Sequence, residues 1–368
     1  MLLKSLNYSE HYKQPTYWEI QDLVLERVNL IVGKNATGKT RVMNLVKNLA
    51  RQLAGGMQHL YDGNWELTFQ TQDEKTYYYR CAVLHKFVVE EKIEVDGETV
   101  LDRKADKGKI RDQGTGQNND FEPPLDKLTL LVRRDRKAHP YLEQLFQWAS
   151  SYHAFMFASS APNEFVLGPA PPITGMLESL VAVPQLLKEA LEEGGMEQDI
   201  IADMKTVGYR VERVQVAQYI QTVIPCPMVL VKEHDLDCDT IQHKMSQGMY
   251  RALSTVVILN NVLREKRPCT LAIDDIGEGL DFERSSNLIK LILDRAKNSD
   301  IQVILTSNDR HLLNAVDVRF WNILERKGAK VRAYNYSNSR EAFDEFMMTG
   351  LSNFELLTGQ MYKQLKRK

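Results

Sequence analysis

Residues 33–40 read Gly-Lys-Asn-Ala-Thr-Gly-Lys-Thr, a full match to G-x-x-x-x-G-K-[ST], and they follow directly on the apolar run Val28-Asn29-Leu30-Ile31-Val32. A buried strand that empties into such a loop and continues as a helix confines the chain to an α/β architecture. The glycines let the backbone turn with its N–H groups facing inward, where they can cradle phosphate oxygens. Lys39 supplies the cation for the β/γ oxygens and acts as a catalytic residue, and the Thr40 hydroxyl can ligate Mg²⁺. A helix is predicted from Thr40 through about Ala50, with Val42, Leu45, Val46 and Leu49 at helical spacing; its positive end then aims at the same anion. The pattern implies a nucleoside triphosphate held by Gly33, Lys34, Asn35, Ala36, Thr37, Gly38, Lys39, Thr40 and Arg41.

The chain has 368 residues, 43% hydrophobic and 26% charged, which is enough apolar material for one large domain or two smaller ones. Its formal net charge of −2 excludes the global basic field of a dedicated nucleic-acid binder, so any DNA contact must be a local patch. The cysteines Cys81, Cys226, Cys238 and Cys269 show no C-x-x-C spacing, which favours a reducing compartment. The N-terminus lacks a basic region followed by an apolar core, and no apolar run approaches the ~20 residues of a membrane span. A cytoplasmic protein with no membrane partner is expected.

Beyond the first helix, Trp65, Leu67, Phe69, Tyr77–Tyr79, Val83–Val89, Ile93 and Val95 alternate in strand fashion around an Asp96-Gly97 turn, predicting an antiparallel meander. From Asp102 to Pro124 the composition turns to charged residues, Gly and Asn, and reads as an exposed loop or a ragged hairpin. Leu142, Leu145, Phe146, Trp148 and Ala149 suggest a helix, Pro169 to Pro172 break the chain, and Leu177 to Met204 reads as helical with an interruption at Gly194-Gly195. Strand and helix then alternate: strands at 211–216, 228–231, 270–273 and 301–306, helices at 246–264 and 284–296. Such alternation predicts a mostly parallel sheet. The expected organisation is an N-terminal half of the core with loop and meander (1–150), a helical insertion or lid (151–225) and a C-terminal half of the core (226–368).

Thr270-Leu271-Ala272-Ile273-Asp274-Asp275 is an apolar strand ending in two carboxylates. Acids that serve a nucleotide-bound metal emerge at the carboxyl edge of a strand, which assigns Asp274 to Mg²⁺. Asp275, with its side chain on the other face of the strand, is the candidate general base. Ser246-Gln247-Gly248 opens a helix whose exposed N–H groups form a second anion site, Ser246 being its N-cap.

The Gly-x-Asn-x-x-Gly-Lys-Thr loop, the Ser246-Gln247-Gly248-Met249-Tyr250-Arg251 turn, and Asp274-Asp275 followed by Gly279-Leu280-Asp281 together resemble the RecF/SMC-like branch of the ABC-type ATPases. The resemblance covers about residues 20–50 and 240–325. It implies a P-loop NTPase fold of ABC ATPase type: a mixed sheet with an antiparallel β-meander and a helical insertion. ATP and Mg²⁺ are the implied cofactors. It also implies a homodimer or higher homo-oligomer closed around ATP, with Ser246 and Gly248 of one subunit facing the γ-phosphate of the other and Gly279-Leu280-Asp281 crossing the seam.

Two positions depart from that family. Asp275 stands where it usually has glutamate, and Asn308, in the switch segment Leu305-Thr306-Ser307-Asn308-Asp309, stands where it often has histidine. Asn308 can donate to a γ-phosphate oxygen but cannot carry charge, and both departures fit a nucleotide timer or switch at least as well as a fast motor.

The chain is also similar to coil-less ATPases of bacterial anti-phage systems and to overcoming-lysogenisation-defect proteins. About forty residues follow Glu325, too few for the nuclease domain of the latter. The implied role is a sensor or regulatory subunit for a separate effector. The alternative is a RecF-like DNA-binding maintenance ATPase, for which Arg103, Lys104, Lys107, Lys109, Arg111, Arg133, Arg134, Arg136, Lys137 and Lys366-Arg367-Lys368 are candidate DNA contacts; solvated charge on loops explains the same residues.

Overall fold

The run Val28–Val32 is a fully buried strand and the chain after the loop is a helix from Lys39 to Leu53, beginning one residue earlier than the spacing predicts. The computed structural model describes residues 1–156, 162, 182–219 and 226–363; the Pro169–Pro172 cluster, the start of the helical run at Leu177 and the Lys366–Lys368 tail lie outside them. In chain order the strands are β1 (Leu2–Glu10), β2 (Trp18–Val24), β3 (Val28–Val32), β4 (Gly63–Gln70), β5 (Thr76–Leu84), β6 (Phe87–Val95), β7 (Glu98–Lys104), β8 (Lys107–Arg111), β9 (Asn118–Phe121), β10 (Tyr152–Met156), β11 (Val211–Tyr219), β12 (Cys226–Glu233), β13 (Asp239–Ile241), β14 (Cys269–Asp274), β15 (Ile301–Thr306), β16 (Trp321–Lys327) and β17 (Lys330–Asn335). The helices are α1 (Lys39–Leu53), α2 (Thr129–Val132), α3 (Pro140–Ser150), α4 (Val183–Glu192), α5 (Met196–Val207), α6 (Gln247–Arg264), α7 (Phe282–Lys297), α8 (Arg310–Ala315), α9 (Arg340–Met348) and α10 (Asn353–Thr358). The chain divides into two units, one of residues 1–152, 268–270 and 317–368, the other of 153–267 and 271–316.

In the first unit the strands follow the order β3-β16-β17-β2-β1-β4-β5-β6-β7-β8-β9. β16 pairs with β3 and β17 with β2 in parallel, and the remaining neighbours are antiparallel. Trp65, Leu67 and Phe69 of β4 and Tyr77, Tyr79, Cys81 and Val83 of β5 are buried at every second position, as the alternation predicts. Val42, Leu45, Val46 and Leu49 bury one face of α1, and Phe69 meets Trp148 of α3 edge-on at 4.8 Å.

Of the two readings of Asp102 to Pro124, an exposed loop or a ragged hairpin, the structure has the hairpin. β7, β8 and β9 extend the meander because Leu101 and Ile110 are buried cross-strand partners and Phe121 packs opposite Gly108. A Cβ on Gly108 would stand 2.6 Å from the Phe121 ring, so this strand needs glycine there.

Arg103 does not belong to the candidate DNA surface, for it is fully buried. Its guanidinium lies 3.3 Å from Glu91 Oε2 and donates to the carbonyls of Ala105, Pro124 and Lys127 at 2.7, 2.7 and 2.8 Å. Glu91 also accepts from the Thr129 N–H and hydroxyl, at 2.9 and 2.6 Å, and from Tyr79 at 3.1 Å. Both buried charges are thus satisfied. Arg111 pairs with Glu98, and Arg134 and Arg136 pair with Glu143 at 3.3 and 3.5 Å, whereas Lys104, Lys107, Lys109 and Arg133 are exposed.

In the second unit β14 lies between β10 and β15, while β11, β12 and β13 form a separate antiparallel sheet. β10, at 152–156 inside the stretch read as a helical insertion, is a strand the sequence reading passed over. α4 and α5 are separated at Gly194-Gly195, where both glycines take positive φ. α6 is buried nearly throughout its length and forms the centre of this unit. Asp203 of α5 accepts from Asn260 of α6 at 2.8 Å and from Arg295 of α7 at 2.6 Å, so one buried carboxylate ties three helices. Among the described residues no helix is long and apolar enough to cross a membrane.

Candidate functional site

The Gly33–Thr40 loop belongs to the first unit. Lys39 is buried, with its ammonium folded into the loop 3.1 Å from the Gly33 carbonyl. Thr37 turns back the same way, its hydroxyl donating to the Lys34 carbonyl at 2.8 Å. Gly33 must be glycine here, since a Cβ would stand 2.6 Å from Thr37 Oγ1 and 3.0 Å from the Leu324 carbonyl. Gly38, the N-cap of α1, has φ 107°, which leaves the way into the helix open only to a residue without Cβ strain. Lys34, Asn35, Ala36 and Thr40 are exposed around this buried cation.

Two supports of the loop were not read from the sequence. Arg326 of β16 donates to the Ala36 carbonyl at 3.3 Å, bracing a residue that itself sits at φ 63°. Arg41 is held by Glu10 and lies with its guanidinium 4.3 Å from the Trp18 ring centre. Arg41, which the sequence reading counts among nucleotide contacts, is thus anchored at its own helix start.

The acidic strand end belongs to the second unit. Asp274 closes β14 and is buried, and its Oδ1 accepts the Thr306 hydroxyl at 2.5 Å. Thr306, the last residue of β15, also accepts the Asp275 N–H at 2.8 Å, and its carbonyl accepts the Ile276 N–H at 3.0 Å. One hydroxyl thus orients the Asp274 carboxylate and the Asp275 backbone together. Asp275 is not on the opposite face of a continuing strand, as its position in sequence suggests; the strand stops at Asp274 and Asp275 turns at φ 52°. That conformation is costly for a residue other than glycine and is held by the two hydrogen bonds to Thr306. Thr306 carried a signal that was overlooked, since the two neighbouring apolar runs both end in a polar side chain.

Thr306→Val, nearly the same shape, removes both hydroxyl bonds, the one donated to Asp274 and the one accepted from the Asp275 N–H. A loss of about 1–3 kcal/mol is expected, read as a lowered thermal midpoint. An unchanged midpoint would show that the Thr306 hydroxyl does not hold this turn.

Ser246 caps α6, its Oγ accepting the Met249 N–H at 3.2 Å. Gly248 faces the loop after the acidic strand so closely that a Cβ would lie 2.4 Å from the Gly279 carbonyl. Arg251, one turn on and buried, donates to the Glu278 carbonyl at 2.8 Å. The structure therefore brings Gly248 and Arg251 onto the segment Glu278-Gly279-Leu280, while Ser246 and Gln247 are exposed beside it. Asp281 caps α7; the Arg284 N–H and guanidinium, both at 2.9 Å, hold its carboxyl below the usual carboxylate range. Asn308 is exposed just ahead of Asp309, which caps α8 through the His311 and Leu312 N–H groups at 2.7 and 3.0 Å.

No family model matches the chain, and no curated protein matches it. Among solved structures it is similar to an Smc head bound to the C-winged helix domain of ScpA, with TM-score 0.51 and 9% identity over 90% of this chain and 97% of that one. It is also similar to an Smc head domain with an extended coiled coil bound to the C-terminal domain of ScpA derived from Pyrococcus furiosus, with TM-score 0.51 and 10% identity over 94% of this chain and 99% of that one. At such identities the likeness is one of fold, and it agrees with the resemblance read from the motifs: this chain has the mixed α/β fold of SMC head domains.

Proposed function

We propose that the chain is an ATP-binding, ATP-hydrolysing switch subunit that dimerises around nucleotide and passes its state to a separate effector, in bacterial anti-phage defence. The observation that carries the reading is the buried Lys39 ammonium inside a loop whose Gly33 leaves no room for a Cβ and whose Gly38 takes a φ of 107°. That set fits a triphosphate: one enclosed cation and the positive end of a 15-residue helix. Thr40 and Asp274 are hard oxygen donors of the type Mg²⁺ takes, and the ion would supply charge neutralisation at the phosphates.

In this reading Lys39 binds the β/γ oxygens, Asp274 is kept in orientation by Thr306, and Asp275 accepts the proton of the attacking water. Asn308 donates to the γ-phosphate without adding charge. Ser246 and Gly248 close on the phosphates of a second copy, and their link to Glu278 and Gly279 makes the seam loop respond to that closure. The motif resemblance and the SMC-head fold support the switch; the resemblance alone supports the defence setting.

Asp275→Asn tests this. ATP binding is expected to persist and turnover to fall by about 10²–10⁴, the usual worth of a general base, with an ATP-bound dimer accumulating by light scattering. Wild-type turnover in the variant would move the base elsewhere, Glu278 being next. A wild-type chain that binds no ATP would sink the reading altogether.

A further inference from the structure

In the first unit, exposed apolar side chains gather at one hairpin. Leu84 and Phe87 are cross-strand partners at the tip of β5 and β6, 52% and 50% exposed, and Val89 follows at 47%. Leu125, 39% exposed, runs alongside, its carbonyl accepting the Val88 N–H at 2.8 Å. Together these half-covered side chains present a few hundred Å², roughly the patch size that marks an interaction site.

The tip is held in a strained form. His85 and Lys86 have φ 52° and 67°, and both N–H groups are taken by the Asp62 carboxylate, at 2.9 and 2.7 Å. Left-handed conformations of non-glycine residues cost about 1–2 kcal/mol each and persist where the surroundings over-determine them. Here the clasp keeps Leu84 and Phe87 turned outward.

Beside the patch lies a positive strip. Lys104 of β7 is the cross-strand partner of Lys107 of β8, and both are exposed, as is Lys86 at the tip. Like charges directly opposite one another destabilise a sheet. Glu90, opposite Lys104, is directed to Arg80 at 3.7 Å instead.

The clasp also reaches the phosphate loop. The Tyr8 hydroxyl lies 3.0 Å from the Asp62 carbonyl and 2.8 Å from Glu10 Oε2, and Glu10 holds Arg41 in the first turn of α1. Burial and the Glu10 carboxylate push the Tyr8 hydroxyl far above its ordinary value, so it stays a donor. Gly63, next to Asp62, has φ 151° and would drive a Cβ to 2.4 Å from the Tyr8 ring, so the chain of contacts is closely packed.

We propose that this hairpin face is the docking surface for an acidic amphipathic helix of a partner protein. Its apolar stripe would cover Leu84, Phe87 and Val89, and its carboxylates would meet Lys86, Lys104 and Lys107. Charge and apolar surface side by side fit such a helix better than a nucleic acid, whose backbone has no use for the exposed Leu84 and Val89. In naming where the effector is engaged, the proposal rests on the switch reading; the binding chemistry of the surface does not.

The test uses the full chain and two synthetic helices with the same leucine stripe, one flanked by glutamates and one by lysines, followed by fluorescence anisotropy. The glutamate helix is expected to bind about tenfold tighter than the lysine helix, and Phe87→Ser to weaken it about tenfold while the thermal midpoint and ATP turnover stay unchanged. Lys104→Glu with Lys107→Glu should invert the preference. A chain that binds no ATP yet keeps this preference would support the surface and remove only the switch reading. Equal affinity for the two helices overturns the proposal. So does Phe87→Ser leaving glutamate-helix affinity intact, duplex DNA binding that is lost in the lysine variant and indifferent to Phe87, or self-association that alone depends on Phe87.

Discussion

Lys39→Ala is expected to weaken ATP binding by about a hundredfold, the equivalent of losing about 3 kcal/mol from a buried charge pair. The ammonium is the cation enclosed by the loop, 3.1 Å from the Gly33 carbonyl. Its removal takes the ammonium away from the β/γ oxygens and leaves the helix end to face them. The loop itself should survive, because its shape is set by the Gly38 φ of 107°, the Thr37–Lys34 hydrogen bond and the brace from Arg326, none of which uses the ammonium. Titration of a fluorescent ATP analogue against the variant, with its thermal midpoint measured beside it, separates the two effects. Wild-type affinity in a folded variant would mean that the loop is a glycine turn and no phosphate site.

Arg103→Ala is expected to destabilise the protein by about 3–5 kcal/mol, the cost of stranding a buried carboxylate. That is a large share of the roughly 5–15 kcal/mol that holds an ordinary domain. Glu91 would remain fully buried with its countercharge gone, and the carbonyls of Ala105, Pro124 and Lys127 would each lose the guanidinium donor. Arg103→Met with Glu91→Leu removes both charges at once and is expected to recover much of the loss, since an apolar pair avoids the desolvation penalty. Thermal unfolding of the single and double variants gives the comparison. A change within about 0.5 kcal/mol for Arg103→Ala, typical of a surface site, would contradict its burial.

Arg103 and Thr306 show where reading the chain stops. In sequence Arg103 is one more cation among Lys104, Lys107, Lys109 and Arg111, and nothing local distinguishes it. Its role depends on Glu91 and Thr129, which the chain brings together only by folding β6, β7 and the start of α2 onto one another. Thr306 likewise becomes a support of Asp274 only because β15 is the neighbour of β14. The β8 and β9 strands stayed hidden because their inward residues, Ile110 and Phe121, are single apolar positions among charged ones, too sparse to show a period of two.

By contrast, the buried strand, loop and helix at 28–53, the meander with its Asp96-Gly97 turn, the capped start of α6 at Ser246 and the strand ending at Asp274 were all legible along the chain. Each is determined by contacts within a few residues: glycines that permit one backbone turn, caps that satisfy the first N–H groups, and apolar spacing that chooses helix or strand. What only the tertiary structure decided is which distant groups stand beside them. Arg251 on Glu278, Arg326 on Ala36, Glu10 and Trp18 around Arg41, and Asp62 beneath the hairpin tip are pairings across loops of many residues. The physical reason is that local sequence sets a residue's own dihedrals, whereas the partner of a buried charge is set by strand order and register, which no local pattern encodes.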